Sequence, residues 1–446
     1  MDKSNVLEDG IPYVGLRSYN SEDSSFFWGR KEEIEKSTCV ILDNASTMLF
    51  GPSGCGKTSL INAGIIPAMR TYQYHSIRVR PVECMNNGIL NLWRKICQQI
   101  DNICKESTLK VTAKFKGAVW NENLSLWERL NLFDYIDEFG FNNYFLITID
   151  QFEEIFQLNY NLKEIRSIFC SYELLCGYYK ESKILEAIKD DSVVNYDSYL
   201  SYKDIINNLP HRFVIALRQD YMFEMESHAE RFPFLYGNRV CINPLNEEQA
   251  FKIITASTKT DGDTWFSSND AILIIKDIAG RNDFLIDGIP EIEVDAMMLS
   301  IFLKETCKKI KNNPNYSISE EGHDSSSIIK DYYLEYANYE GFEKIEKELI
   351  SADGNFRKSI PLADAVKDIP EVKLREYDEL GILNIYTSHN VEWIELRHDK
   401  LCPCATYHLS LTRIKRQNQK LFSPFRFLLP QGRLHFDNSR NLDFNI

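Results

Sequence analysis

Nine consecutive residues, Gly51-Pro52-Ser53-Gly54-Cys55-Gly56-Lys57-Thr58-Ser59, carry the most specific chemistry in this sequence. Their spacing is G-x-x-x-x-G-K-T, the pattern of a phosphate-binding loop. Glycine reaches backbone angles closed to other residues, so successive N–H groups can turn inward and cradle phosphate oxygens. Lys57 brings a cation to the outer phosphates, and Thr58 offers a hydroxyl to a divalent metal. Ser59-Leu60-Ile61-Asn62-Ala63 reads as a helix whose positive N-terminus faces the anion. Met48-Leu49-Phe50, just before the loop, is a short apolar run of the kind a buried strand needs. A chance glycine turn would not bring this strand and helix with it.

The second chemical cluster is acidic. Tyr144-Phe145-Leu146-Ile147-Thr148-Ile149 is the most apolar strand candidate, and it ends in Asp150-Gln151-Phe152-Glu153-Glu154. Asp150, 93 residues after Lys57, is placed to hold Mg²⁺ with Thr58, directly or through water. Glu153 or Glu154 is placed to orient or deprotonate an attacking water, with Glu154 preferred. The plainer alternative is a solvated helix start whose carboxylates are favoured by the dipole. A further strand, Arg212 to Leu217, ends in Arg218-Gln219-Asp220. Arg218 is placed to meet a γ-phosphate or to pair with Asp220. Upstream, Phe27-Trp28-Gly29-Arg30 opens an F-x-G-R-x-x-E-I pattern ahead of an amphipathic helix from Lys31 to Ile41. Phe26, Phe27 and Trp28 serve either a core or a site, and Arg30 joins the nucleotide-binding candidates.

Strands alternating with helices predict a three-layer α/β domain with a parallel sheet, its ligand lying across the carboxyl ends of the strands. Pro67 should end or kink the helix after the loop. Ile77 to Val82 reads as a strand, residues 89–139 as mostly helical, with Leu126, Leu130, Phe133 and Asp137 at helical spacing. Arg239 to Asn243 reads as a short strand, and Asn246 as the N-cap of a following helix. The expected organisation is a polar lead over 1–10, a nucleotide-binding core over 11–244 with a polar helical insert at 159–209, and a helical lid over 245–312. A linker follows over 313–325, then a winged-helix-like domain over 326–412 and a tail over 413–446 that opens basic. The wing is the hairpin flanking Ser388-His389-Asn390. Thr258-Lys259-Thr260-Asp261 imitates a guanine-reading T-K-x-D, but it follows a helical segment rather than a strand.

The 446 residues allow about three domains. A net charge of −14 disfavours broad sequence-independent nucleic-acid binding. The eleven cysteines are scattered, without zinc spacing, and read as free thiols of a cytoplasmic protein. The N-terminus is polar and acidic rather than a signal peptide, and no apolar run approaches the roughly 20 residues that span a bilayer.

Three stretches together carry a family resemblance. Pro12-Tyr13-Val14-Gly15-Leu16-Arg17 through Arg30 is the first. The loop with its tail Ala63-Gly64-Ile65-Ile66-Pro67-Ala68-Met69-Arg70 is the second, and Asp150-Gln151-Phe152-Glu153-Glu154 is the third. With Leu217-Arg218-Gln219-Asp220 and Glu395-Leu396-Arg397-His398-Asp399-Lys400-Leu401, they resemble the novel STAND NTPases, signal transduction ATPases with numerous domains. The resemblance spans about residues 10–412 and implies an AAA-like P-loop NTPase core of the ASCE type, a helical lid and a winged helix. In that core a strand stands between the loop strand and the acidic strand, and the strand ending in Arg218 fills the place. The resemblance also implies ATP and ADP with Mg²⁺ as cofactors, Arg218 as γ-phosphate sensor, and His398 approaching the ADP phosphates in a closed form. It implies a slowly hydrolysing regulatory switch, closed with ADP and self-associating with ATP, in bacterial defence or signalling. Asp295 stands where similar proteins tend to have Pro. Little precedes the NTPase module and 34 residues follow position 412, so the expectation is a core that works with a separately encoded effector or sensor, or a truncated relative. The alternatives are a DNA-associated AAA-like initiator or loader with a winged helix, and a nucleotide-binding scaffold without turnover.

Overall fold

The computed structural model describes residues 10–422 except 82–83, 87–88, 115–117, 158–167, 169–170, 173–174, 177–209, 228–236, 259–261, 263, 280–291, 314–315, 317, 319–324, 338, 340, 352–353, 355–356, 380–381, 389–390 and 397–400. The strands are β1 (Ser46–Gly51), β2 (Tyr74–Val79), β3 (Met85–Asn86), β4 (Ile89–Leu90), β5 (Lys110–Ala113), β6 (Phe133–Ile136), β7 (Asn142–Ile149), β8 (Arg212–Arg218), β9 (Arg239–Cys241), β10 (Ile360–Pro361), β11 (Leu383–Ser388) and β12 (Val391–Leu396).

Five parallel strands in the order β9-β1-β8-β7-β2 form the central sheet. β8 therefore lies between β1, which feeds the phosphate loop, and β7, which feeds the acidic turn. β1, β7 and β8 are apolar on both faces because both faces are covered. Met48, Phe213, Ile215, Leu217, Phe145 and Ile147 pack with Ile96, Ile100 and Leu130 of the helices Leu92–Glu106 and Leu126–Leu132. The alternating residues Leu49, Leu146, Val214 and Ala216 pack on the other side with Ile41, Leu60, Ile61 and Ile65. This is the expected three-layer α/β architecture.

The stretch 89–139 departs from its helical expectation. Helix Leu126–Leu132 ends one residue before β6, so Phe133 belongs to a strand rather than to the helical repeat. β6 pairs antiparallel with β5 and with the first residues of β7. The helical period broke because Phe133 and Tyr135 are buried on one face of a strand. After the loop, the helix runs through Lys57–Ser59, a π-helical Leu60–Ile65 and Ile66–Arg70. Pro67 neither ends it there nor breaks it: the widened π turn precedes the proline, and the chain stays helical to Arg70. Most of the insert 159–209 lies outside the described residues, but Tyr172 is fully buried and its hydroxyl meets Ser46 Oγ at 2.6 Å.

Helices Glu247–Thr255, Ser268–Ala279 and Ala296–Asn312 share a second core. Asn246 caps the first, accepting from Gln249 N at 2.8 Å. Asp295 caps the third, accepting from Met297 N and Met298 N, both at 3.0 Å. Ile11 and Tyr13 belong to this same core, and Tyr13 Oη donates to Ser257 Oγ at 2.6 Å. The chain after position 325 has its own core, built from helices Ser325–Tyr336, Phe342–Leu349, Leu362–Ala365, Glu371–Glu379 and Cys402–Phe422 around a three-stranded antiparallel sheet, β10-β12-β11. Ile301 of the preceding helices joins that core. Among the described residues no helix is long and apolar enough to cross a membrane.

Candidate functional site

β1 delivers Gly51 to the carboxyl edge of the sheet. A Cβ there would lie 2.1 Å from the Ile242 carbonyl oxygen, so only glycine lets the chain after β9 press against the loop entry. Gly54 and Gly56 have φ of +78° and +94°, the left-handed region that glycine occupies without cost. A Cβ added to Gly56 would meet nothing within 4 Å, so that glycine is there for its backbone angle and the space beside it is cleft. Lys57 Nζ donates to the carbonyls of Gly51 and Pro52, both at 2.8 Å. Ser59 Oγ accepts from Tyr19 N at 3.2 Å, tying the N-terminal segment to the loop helix.

Arg30 is buried beside this loop. Its Nη2 donates to the carbonyls of Cys55 and Asn243, both at 2.9 Å, and its Nη1 to Glu33 Oε1 at 2.6 Å. Glu33 Oε1 also accepts from Gln249 Nε2 at 2.7 Å. One guanidinium thus joins the loop, the end of β9 and, through Glu33, the second group of helices.

The acidic turn follows β7. Asp150 N donates to Val79 O at 2.9 Å, which carries the β2–β7 register into the turn. Thr58 Oγ1 stands 3.0 Å from Asp150 Oδ2, and Asp150 is 1% exposed. A hydroxyl and a buried carboxylate so placed fit a hard divalent cation completed by phosphate oxygens and water. Gln151 then takes φ +54°, rare for a residue with a side chain. Phe152 N crosses to Ala216 O at 2.8 Å, pinning the turn against β8.

The two glutamates fare differently. Glu153 Oε2 accepts from Arg218 N at 3.1 Å. Burial pushes its carboxyl up to about 7, opposed in part by backbone N–H groups and Lys57. Glu154 Oε1 is 2.5 Å from Arg80 Nη2 in an ion pair. Arg78, two residues earlier, reaches Asn62 Oδ1 at 3.2 Å and lies 3.9 Å from Asp150 Oδ2. The Arg218 side chain grips Asp220 with two hydrogen bonds of 3.0 and 2.6 Å, beside the Tyr221 ring.

These groups open onto one cleft of about 850 Å³. The loop, Asp150, Glu153, Glu154 and Arg218 line one wall. Val14 to Tyr19, Phe26 to Trp28, Leu245, Ile253 and Met297 line another, and Arg357, Asp378, Asn384 and Glu395 reach it from the C-terminal unit. Such a volume suits a nucleotide-sized ligand. The model of one protein family, Novel STAND NTPase 1, matches residues 12–286. This chain belongs to that family. A search of curated proteins returned no match.

Three of the solved structures that resemble this STAND NTPase at a modest level illustrate the likeness. The Walker-type ATPase PABY2304 of Pyrococcus abyssi is 14% identical, with a TM-score of 0.41, 88% of this chain and 99% of that chain covered. The ORC2 protein of Aeropyrum pernix, in ADPNP–ADP complexes, is 12% identical, with a TM-score of 0.39 and coverages of 86% and 95%. Cdc6p of Pyrobaculum aerophilum is 14% identical, with a TM-score of 0.39 and coverages of 92% and 99%.

Of the residues singled out in the sequence, Ser53 to Ser59, Arg30, Asp150, Glu153, Glu154 and Arg218 line this STAND NTPase's cleft together. Gly51 and Pro52 stand behind them, accepting from Lys57. Arg397, His398 and Asp399 lie outside the described residues, as do Lys259 to Asp261. Sequence reading missed Arg78, Arg80, Tyr19 and Gln249. The alternation Ile77-Arg78-Val79-Arg80 held the signal for the two arginines, since a period of two puts both on one face.

Proposed function

We propose that this NTPase is an ATP-driven switch. ATP binds with its phosphates on residues 51–59, and Lys57 exchanges its loop carbonyls for phosphate oxygens. Thr58 and Asp150 would hold Mg²⁺, which would supply Lewis-acid neutralisation of phosphate charge. The base and sugar lie toward the strap of residues 13–28 and the helices that carry Ile253 and Met297. Glu153 positions and deprotonates the attacking water, while Arg218 faces the γ-phosphate once it leaves Asp220. The sequence favoured Glu154 for the water; its ion pair with Arg80 moves the choice to Glu153, whose carboxyl burial has made a better base.

The observation that carries this reading is the composition of the cleft. Residues of the sheet, the N-terminal strap, the helices after 245 and the C-terminal unit all face the same space. A nucleotide there contacts every part, so exchanging ATP for ADP changes how the parts hold together. The order helix, strand, two helices and hairpin over 342–396 supports a winged helix, closed over the cleft. His398 would add a phosphate contact to that closed form. Self-association with ATP, and a separately encoded effector or sensor in defence or signalling, complete the proposal.

Duplex binding by the C-terminal unit gains no support. Helix Glu371–Glu379 carries Glu371, Glu376, Asp378 and Glu379 against Lys373 and Arg375, and Arg375 is paired with Glu371 and Glu392. The test is mass measurement of the wild type and Lys57→Ala with ADP and with a non-hydrolysable ATP analogue. A shift to larger assemblies with the analogue, absent in Lys57→Ala, is expected. Equal masses in all four samples would remove the switch.

A further inference from the structure

The carboxylate suited to a metal also has a protein cation beside it. Arg78 Nη1 lies 3.9 Å from Asp150 Oδ2, the oxygen that faces Thr58 Oγ1 at 3.0 Å. The sheet places it there. Arg78 stands opposite Thr148 in the β2–β7 register, and such partners share one face of the sheet. On that face Leu146 packs against Leu60, Ile61 and Ile65 of the phosphate-loop helix. Arg78 thus lies between that helix and the acidic turn. Asn62 meets it from the helix, accepting from Arg78 Nη1 at 3.2 Å. Asn62 is 7% exposed and the Asp150 side chain 2%, while that of Arg78 is 32% exposed. The guanidinium is close enough to offset the charge of Asp150, yet outside the roughly 2.7–2.9 Å of a hydrogen-bonded ion pair. Neither Arg78 nor Asn62 lines the cleft, so both would act through Asp150.

We infer that Arg78 is a positioning residue, a built-in countercharge that Asn62 holds just off the Asp150 carboxylate, so that the site keeps ADP with or without its metal. This rests on the nucleotide and Mg²⁺ reading proposed above. The ground is electrostatic. A nucleotide without metal would bring its phosphates toward a buried carboxylate of like sign, and like charges at short range oppose each other. Arg78 offsets that repulsion. A divalent cation at Asp150 would share the carboxylate with Arg78, and the two positive charges would weaken its hold. Arg78 therefore acts on the difference between metal-bound and metal-free affinity, while the loop supplies the grip common to both. Asn62 sets the strength of the effect. A guanidinium in full contact with Oδ2 would occupy the oxygen that the metal needs. For a switch, the consequence is a resting ADP form that outlasts the loss of Mg²⁺.

The test measures ADP affinity by calorimetry, once with excess Mg²⁺ and once with excess chelator, in wild type, Arg78→Gln, Arg78→Lys and Asn62→Ala. Thermal unfolding of each variant checks the fold. Arg78→Gln loses the charge and keeps a donor for Asn62. Its metal-free affinity should fall while its affinity with Mg²⁺ holds or rises, so that the ratio of the two grows about tenfold over wild type. Arg78→Lys keeps the cation and should stay within about threefold of the wild-type ratio. Asn62→Ala frees Arg78 to close on Asp150 and should move the ratio the other way, down about threefold. A residue needed only for folding would move both affinities together and leave the ratio alone. A ratio within about twofold of wild type in Arg78→Gln overturns the inference. So does a ratio in Asn62→Ala that stays or rises. Should Arg78→Gln fail to fold, Asn62→Ala decides alone by the sign of its change. A wild type that binds ADP in neither condition would mean instead that the nucleotide reading itself has failed.

Discussion

The guanidinium of Arg30 and the carbonyl of Cys55 meet at 2.9 Å, a bond between the residue that opens the first helix and the middle of the phosphate loop. The same nitrogen holds Asn243 beyond β9, so the loop is braced from two sides. Arg30→Ala is expected to remove both bonds and to strip Glu33 of its cation. Losing one partner of such a buried pair costs about 3 kcal/mol, and a slack loop should bind ATP about tenfold more weakly. Thermal unfolding and calorimetry on the variant check both. A lower unfolding midpoint with unaltered affinity would restrict Arg30 to the scaffold.

Glu153 makes a demand of opposite sign. Burial raises its carboxyl from 4.5 to about 7. A raised folded-state value means the folded protein keeps the proton longer than the unfolded chain does. The stabilising effect is complete below the unfolded value near 4.5 and is lost as pH rises through 7. Above pH 7 the native state carries a desolvated anion, at a cost of about 3 kcal/mol. Glu153→Gln is therefore expected to unfold at a higher temperature than wild type at pH 8. The gap should shrink by pH 5, while turnover falls on the order of a hundredfold at pH 8, where the wild-type carboxylate is ionised, and by less at pH 5, where it is protonated. A constant gap between the two midpoints from pH 5 to 8 would show that the carboxyl is not strained by burial.

How much of this was legible in the sequence depended on distance along the chain. The phosphate loop is a local object: its glycines, lysine and threonine are neighbours, and the flanking strand and helix follow within ten residues. The acidic turn was legible because β7 is apolar along its length and then stops at Asp150. The Arg80–Glu154 pair was not, because its partners are 74 residues apart and join only when β2 lies beside β7. The N-terminal strap was misplaced for the same reason. Tyr13 read as part of the nucleotide-binding core, yet its hydroxyl bonds to Ser257, 244 residues away in the helical unit. Phe133 at helical spacing shows the converse error, a local period overruled by a strand pairing that no window around it contains.

Gly29 tests the strap directly. It has φ +80°, and a Cβ there would fall 2.8 Å from the Gln249 carbonyl oxygen and 2.6 Å from Ile253 Cγ1. The isoleucine can yield, but a backbone carbonyl held in the first turn of that helix cannot. Gly29→Ala is expected to lift the strap off helix Glu247–Thr255, at a cost of about 1–3 kcal/mol from backbone strain alone. Because Trp28 and Arg30 flank it on the cleft wall, nucleotide affinity should fall with stability. Ser24→Ala lies on the same strap without this approach and serves as the control. If Gly29→Ala leaves both quantities at the wild-type value, the strap is not held by this contact.

The most buried imidazole among the described residues makes the last prediction. His211 immediately precedes β8, beside β7, and is 3% exposed. Its Nδ1 accepts from Phe145 N at 3.0 Å, so that nitrogen carries no proton, and Nε2 donates to Leu130 O at 2.9 Å. The ring stacks on Phe145 with centroids 5.5 Å apart. A second proton would turn Nδ1 from acceptor to donor against the Phe145 amide. Burial, with Lys114 and Arg212 adding like charge, lowers the pKa from 6.5 to about 3. The unfolded chain therefore binds the proton that the folded chain refuses. The stability His211 lends is complete above pH 6.5 and is lost as pH falls from there toward 3, with a slope of up to about 1.4 kcal/mol per pH unit. His211→Gln keeps an acceptor and a donor but cannot titrate. It is expected to be less stable than wild type at pH 7, because the amide fills the site less well. Its unfolding free energy should fall less steeply between pH 6.5 and 4.5, so that the two proteins converge by about 1–2 kcal/mol over that interval. Carboxylates that titrate in the same range act on both chains and cancel in the difference. Urea unfolding at pH 7, 6, 5 and 4.5 measures it, and two parallel curves would mean that His211 meets its proton as readily folded as unfolded.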